Sequence, residues 1–211
     1  MRIILFVFFL LFCFYSCRNK STSKEKPIET TSADTIKAVQ TDKVSVLTSL
    51  NRTIMSVLKN KNYDSLSFFI HPVEGLRFSP YGYVDTLNDV VLTGLKLIAE
   101  MGKKKQDIIR WGEFDGTGDL IKMTLNEYMQ RFVYDVDFLN PEKMSINEFL
   151  GVGNSQNNIL SVYPGCDFTD SHFSGFEEKY DGMDWRSLRL IFKKIDNKYY
   201  LTGIVHDEWT I

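Results

Sequence analysis

Residues 187–209 read SLRLIFKKIDNKYYLTGIVHDEW, and their reading decides the fold. From Ser187 to Ile195 the run is rich in aliphatic and aromatic residues with charges interleaved, a strand pattern. Asp196-Asn197-Lys198 is turn chemistry, and Tyr199 to Trp209 returns as a second strand. The prediction is a long antiparallel β-hairpin at the C-terminal end of the chain.

Upstream of the hairpin, helices come first and mixed elements follow. Leu47, Leu50, Ile54, Val57 and Leu58 recur at helical spacing, which predicts an amphipathic helix over 44–60. Asp64 is the expected cap of a short helix over 64–70, stopped before His71-Pro72 because the residue before proline resists the α region. Gly75 to Tyr83 reads as strand and turn, and Val90-Val91-Leu92 as a strand. Thr93 caps a helix over 94–101. Ile108–Phe114 and Leu120–Met123 read as strands around the Asp115–Asp119 turn, and Thr124-x-x-Glu127 is a capping box opening a helix over 125–134. Residues 135–158 read as loop, Ile159–Tyr163 as a strand, and the stretch after it as loop again. The fold class is therefore α+β: N-terminal helices packed on a curved antiparallel sheet that ends in the hairpin, as a single domain over 44–211.

The other end of the chain has a different character. Residues 1–17, MRIILFVFFLLFCFYSC, place Arg2 before an apolar run from Ile3 to Tyr15. Such a run is shorter than the roughly 20 residues of a spanning helix and has the length of a signal-peptide core. Ser16-Cys17 then resembles a bacterial lipobox. That resemblance implies cleavage after residue 16 and acyl chains of the palmitate type on Cys17. Two or more chains anchor stably, since each buried CH₂ contributes about 0.8 kcal/mol. Residues 18–43 are rich in Lys, Ser, Thr and Glu and contain no aromatic residue. They are expected to form a disordered tether, because so little apolar area cannot offset the entropy of ordering. Asp34-Thr35-Ile36 resembles the O-glycosylation site of some Bacteroidetes envelope proteins, which would put a glycan on Thr35. The expected location is the cell envelope outside the cytoplasm. Arg18, rather than Asp, follows Cys17, which favours the outer membrane over the inner.

The chain has 211 residues and a formal net charge of −2, which argues against nucleic acid as a partner. Lys103-Lys104-Lys105 is the longest basic run, with acidic residues close by, and reads as a solvated helix end. Once Cys13 is removed with the leader and Cys17 is lipidated, Cys166 has no partner for an intramolecular disulfide.

Polar candidates cluster in four phrases: HPVEGLRFSPY (71–81), WGEFDGTGD (111–119), GMDWRSLRLIF (182–192) and GIVHDEWTI (203–211). Together these phrases resemble a family of uncharacterised bacterial envelope lipoproteins, a resemblance that implies no activity. The order of elements is similar to the cone-shaped fold of nuclear transport factor 2 and its relatives, which implies a pocket under a long N-terminal helix. The candidate ligand-binding residues are His71, Arg77, Tyr81, Trp111, Asp115, Asp184, Trp185, Arg186, His206, Asp207 and Trp209. The hairpin brings Ser187 and His206–Trp209 to one end of the sheet, where arginine offers a fork and tryptophan a stacking face. Each also has a structural reading: Arg186 paired with Asp207, the tryptophans in the core, His71 satisfying buried backbone. No metal site and no cofactor is expected. His206, Asp207 and Glu208 are strand neighbours that point to opposite faces. The Asp115–Asp119 turn resembles the start of a calcium loop, but Leu120 and Asn126 stand where that loop needs Gly and Glu.

The leading functional expectation is a non-catalytic lipoprotein binding a small polar ligand or a partner. The alternatives are a hydrolase, with Ser187 or Ser79 as nucleophile, His206 or His71 as base and Asp184 or Asp207 orienting it, and a structural part of an envelope complex. No GxSxG elbow is present. Cys17→Ala is expected to move the protein from the membrane to the soluble fraction on cell fractionation; retention in the membrane would sink the anchor assignment.

Overall fold

A computed structural model describes residues 32–153 and 156–210. The expected leader, the lipidated Cys17 and the first part of the tether lie outside these residues. In chain order the elements are α1 (Ser32–Lys59), α2 (Tyr63–Ser67), β1 (Leu76–Ser79), β2 (Val90–Leu92), α3 (Gly94–Met101), β3 (Ile109–Glu113) and β4 (Leu120–Met123). There follow α4 (Leu125–Tyr128), which runs on as a π-helical turn (Met129–Val133), then β5 (Lys143–Ile146), α5 (Ile159–Val162), β6 (Asp167–Phe173), β7 (Arg186–Ile195) and β8 (Lys198–Glu208). The class is α+β and the C-terminal hairpin is present as β7–β8.

Six strands form the main sheet in the order β2-β1-β8-β7-β6-β5, and β3–β4 form a separate hairpin. The sheet is mixed, which corrects the antiparallel expectation: β1 runs parallel to β8, with Arg77 opposite Gly203 and Ser79 opposite Val205. A parallel pair needs a long connection, and the whole chain between residues 80 and 197 supplies it.

Alternation gives the sheet two covered faces. On one, Leu188, Leu190, Phe192, Ile204 and Phe78 pack with Leu47, Ile54 and Met55 of α1 and with Tyr128 and Phe132 after β4. On the other, Ile191, Val205 and Phe168 pack with Val84 and Ile159. Helix α1 lies against β5 and β6. Its buried Asn51 accepts from Thr169 Oγ1 at 2.8 Å and donates to Ser171 Oγ at 3.3 Å, both on β6.

Local chemistry explains where the prediction succeeds. Thr93 Oγ1 accepts from Lys96 N. The Thr124–Glu127 capping box closes in both directions. It also explains the differences. Helix α1 starts at Ser32, so it runs through 32–43 of the expected tether; nothing after Pro27 breaks a helix, and a helix already packed over 44–59 extends at the cost of one residue per added bond. The cap of α2 is Asn62, whose side chain accepts from Ser65 N, in place of Asp64. Ile159–Val162 is a helix where a strand was expected, because Asn157 Oδ1 takes the Ile159 amide and Tyr163 N closes onto Ile159 O. Three apolar residues in a run of four do not separate the two states. Strands β5 and β6 lie in stretches read as loop. DFTDSHF is polar on both faces and so carries no apolar alternation.

The charged side chain at the centre is Arg189. It is fully buried, and its donors reach three segments: Nε to Asp170 Oδ2 (3.0 Å), Nη1 to Asp207 Oδ2 (2.7 Å) and Nη2 to Gly151 O (2.6 Å). Gly151 is required there, since a Cβ would stand 2.5 Å from Ser187 Oγ and from the Trp185 ring. Arg189→Ala is expected to cost about 3–5 kcal/mol by urea unfolding, because two buried carboxylates lose their partner. Joining Arg189→Met to Asp170→Asn and Asp207→Asn should recover most of that loss; no recovery would argue against charge burial as the cause.

Candidate functional site

Strand β1 ends at Ser79, and Pro80 turns the chain into the loop 80–89 that faces the β3–β4 hairpin. Between them lies a cleft of about 650 Å³, lined by Pro80, Tyr81, Tyr83, Asp85, Asn88 and Asp89 on one side and by Arg110, Gly112–Gly118 and Gln156 on the other. Among the described residues four carboxyl groups line it, Asp85, Asp89, Glu113 and Asp115, together with one cation, Arg110. Arg110 pairs with Glu113 at 2.9 Å on the exposed surface, where such a pair contributes little.

Each carboxyl group has a distinct setting. Asp85 accepts the amides of Leu87 and Asn88 and the Asn88 side chain; the Asn88 bond comes first among the causes that hold it below the ordinary range. Asp115 accepts from Thr210 Oγ1 at 2.6 Å. Asp89 is buried and accepts from Ser79 Oγ at 2.5 Å and from the Asp85 amide at 3.1 Å. Burial outweighs these bonds and Arg77 beside it, and pushes its carboxyl up to about 7. Asp85 and Asp89 are thus two carboxyl groups on one wall with their titrations driven apart. Tyr81 is buried with its ring edge on Phe132, and Tyr83 is half exposed, so the cleft also has an aromatic wall.

Of the sequence candidates, Tyr81 and Asp115 line this cleft. Arg77 stands behind it, its Nη1 3.3 Å from the Thr86 carbonyl and 3.5 Å from those of Asp85 and Asp89, which makes it a brace for the loop. The rest lie elsewhere. His71 is buried and accepts the amides of Val73 and Glu74 through Nδ1. Trp111 is core, stacked on Tyr128 at 3.9 Å with its Nε1 bonded to Met123 O. Asp184 accepts the Glu177 amide at 2.8 Å. Trp185 is buried under Gly151 and Gly153, and Trp209 is partly exposed.

The hairpin end is split by the sheet. Ser187 pairs with Asp207 and Arg186 with Glu208. Asp207 therefore shares a face with Arg189, while Arg186, His206 and Glu208 share the other. This corrects the expected Arg186–Asp207 pair: Arg186 Nε lies 3.0 Å from Asp135 Oδ2 and 3.2 Å from Glu208 Oε2, and Arg131 closes on Glu208 at 2.5 Å. Burial tends to raise the Asp135 carboxyl, but His206 and Arg186 beside it hold it below the ordinary range. Burial raises Asp207 against the pull of Arg189.

The serine, histidine and aspartate trio sketched for a hydrolase is not assembled among the described residues. Ser79 meets Asp89, and His206 Nδ1 meets the Pro80 carbonyl at 3.3 Å. Ser187 Oγ instead meets Nδ1 of His172, at 2.9 Å, in a pair closed from solvent on the serine side.

Asp85, Asp89, Tyr83, Asp135 and Arg189 were not singled out from the sequence. The one signal that could have found the first two was Asp-x-x-x-Asp just before Val90-Val91. Comparison of the chain with protein-family models, with curated proteins and with solved structures finds no match.

The raised Asp89 sets a sign for stability. Between about pH 4 and 7 the folded chain holds a proton there that the unfolded chain has released, so stability falls as pH rises through that window. Asp89→Asn keeps an acceptor for Ser79 and the Asp85 amide. It is expected to remove that segment of the pH dependence in urea unfolding, and to leave the variant the more stable protein at pH 8.

Proposed function

We propose that the chain is a lipid-anchored protein of the cell envelope whose domain holds a small polar ligand in the cleft between loop 80–89 and the β3–β4 hairpin, without catalysis. The observation that carries the reading is the cleft itself. It is large enough for a metabolite-sized molecule, it has four carboxyl groups and two tyrosines on its walls, and its polar groups converge on one space. The carboxyl groups favour ligands rich in hydroxyl or amino groups, and tyrosine supplies both a flat apolar face and a hydroxyl.

The anchor rests on Cys17 and the apolar run before it. Among the described residues no helix is long and apolar enough to cross a membrane, and a lipidated cysteine needs none. The long α1 laid against β5 and β6 supports a second proposal, a likeness to the cone fold of nuclear transport factor 2 relatives.

Native mass spectrometry of the protein extracted from its own membranes in mild detergent is expected to reveal a bound small molecule. Asp115→Asn and Tyr83→Ala should each weaken its binding by about tenfold, the loss of one good polar or aromatic contact at roughly 1.4 kcal/mol. A ligand held equally well by both variants would place the site elsewhere.

A further inference from the structure

The cleft is not the only place where chemistry converges. On the helical face of the sheet, one oxygen of Asp135, one oxygen of Glu208 and one ring nitrogen of His206 lie within 4.8 Å of one another. We propose that these three side chains form a binding site for a divalent transition-metal ion of the zinc type, distinct from the cleft.

The argument begins with the imidazole. His206 is fully buried, and its Nδ1 lies 3.3 Å from the Pro80 carbonyl oxygen. A carbonyl only accepts, so Nδ1 carries a hydrogen, and in the neutral imidazole Nε2 then presents a lone pair. Among the described residues that Nε2 has no hydrogen-bond partner, and neither does Asp135 Oδ1, which faces it at 3.5 Å. With the ring neutral, two buried acceptors are aimed at each other, and such a pair requires something positive between them. Metal-binding histidines are oriented in this way, one ring nitrogen donating to a backbone carbonyl and the other free for the ion. The 3.5 Å separation also suits a tetrahedral ion, for which bonds of about 2.0–2.1 Å set ligand atoms roughly 3.3 Å apart.

On the face of the site the carboxylates of Asp135 and Glu208 stand against the guanidinium groups of Arg131 and Arg186, so an ion there shares both carboxylates with them. Arg186 holds the outer oxygen Oδ2 of Asp135 and leaves Oδ1 for the ion. Glu208 would release one contact with Arg131, whose side chain is 41% exposed and has room to swing outward.

The test uses the full chain in detergent, stripped with a chelator and titrated with Co²⁺ and then Zn²⁺. One Co²⁺ per chain is expected, with the visible absorption of a low-coordinate site, displaced by one Zn²⁺. Asp135→Asn and His206→Gln should each weaken binding by at least tenfold. Failure of the wild-type protein to bind either ion stoichiometrically overturns the proposal, whatever the variants do. Binding that both variants retain places the ion elsewhere and overturns it too. So does nitrogen NMR showing both His206 ring nitrogens protonated and unmoved by Zn²⁺, since a proton would then fill the gap.

Discussion

A guanidinium without solvent contact holds the sheet in its observed form. Arg189 projects from the middle of the C-terminal hairpin and bonds a carboxylate on each flanking strand and a backbone carbonyl above them. A charge this deep is costly unless it is paired and hydrogen-bonded. Its three partners therefore constrain their segments: β6 must pair so that Asp170 faces Arg189, β8 so that Asp207 does, and the 149–151 segment must pass close above. A slip of one residue in either strand would turn a carboxylate to the wrong face. Register, which hydrophobic patterning specifies only loosely in a strand as polar as β6, is here pinned by charge.

The same alternation that seats Arg189 divides the hairpin end. Residues 206–208 are consecutive in sequence and fall on opposite sides of the sheet. Asp207 serves the buried triad. His206 and Glu208 face Asp135, Arg131 and Arg186 on the helical side. The strand rule was sufficient to exclude three neighbours as joint ligands, and it holds. Its complement, that residues two apart share a face, points to His206 with Glu208. The third member, Asp135, comes from the far end of the π-helical turn, and no spacing in the sequence connects it to them.

What was legible followed local chemistry. Thr93 and the Thr124–Glu127 box are caps whose bonds close within four residues, and the β7–β8 hairpin closes at Asp196-Asn197, so each could be read in place. What was not legible depended on partners distant in the chain. Strand β6 has Thr169 and Ser171 toward the core because Asn51, on a helix more than a hundred residues earlier, bonds both. Asp89 matters because Ser79 and the Asp85 amide hold it against the cleft while burial resists its charge. Neither environment leaves a mark in the residues around it. Tyr81 and Asp115 were found because they fall in phrases dense with polar residues. Trp111 fell in the same phrases and is core.

Pro80 and Tyr81 stand between the two sites. The Pro80 carbonyl receives His206, and the same residue lines the cleft. Burial raises the Tyr81 hydroxyl first, and the nearby Glu208 charge raises it further, although Tyr81 itself opens on the cleft. Thr210, just past the end of β8, bonds Asp115 on the opposite wall. The C-terminal end of β8 therefore supplies ligands toward the Asp135 side and a support for the cleft on the other. Moving that strand end to accommodate an ion at His206 and Glu208 would displace the backbone carrying Thr210, and with it one prop of the cleft wall. The two sites are separate in chemistry and joined in mechanics, because a single strand end and a single proline belong to both.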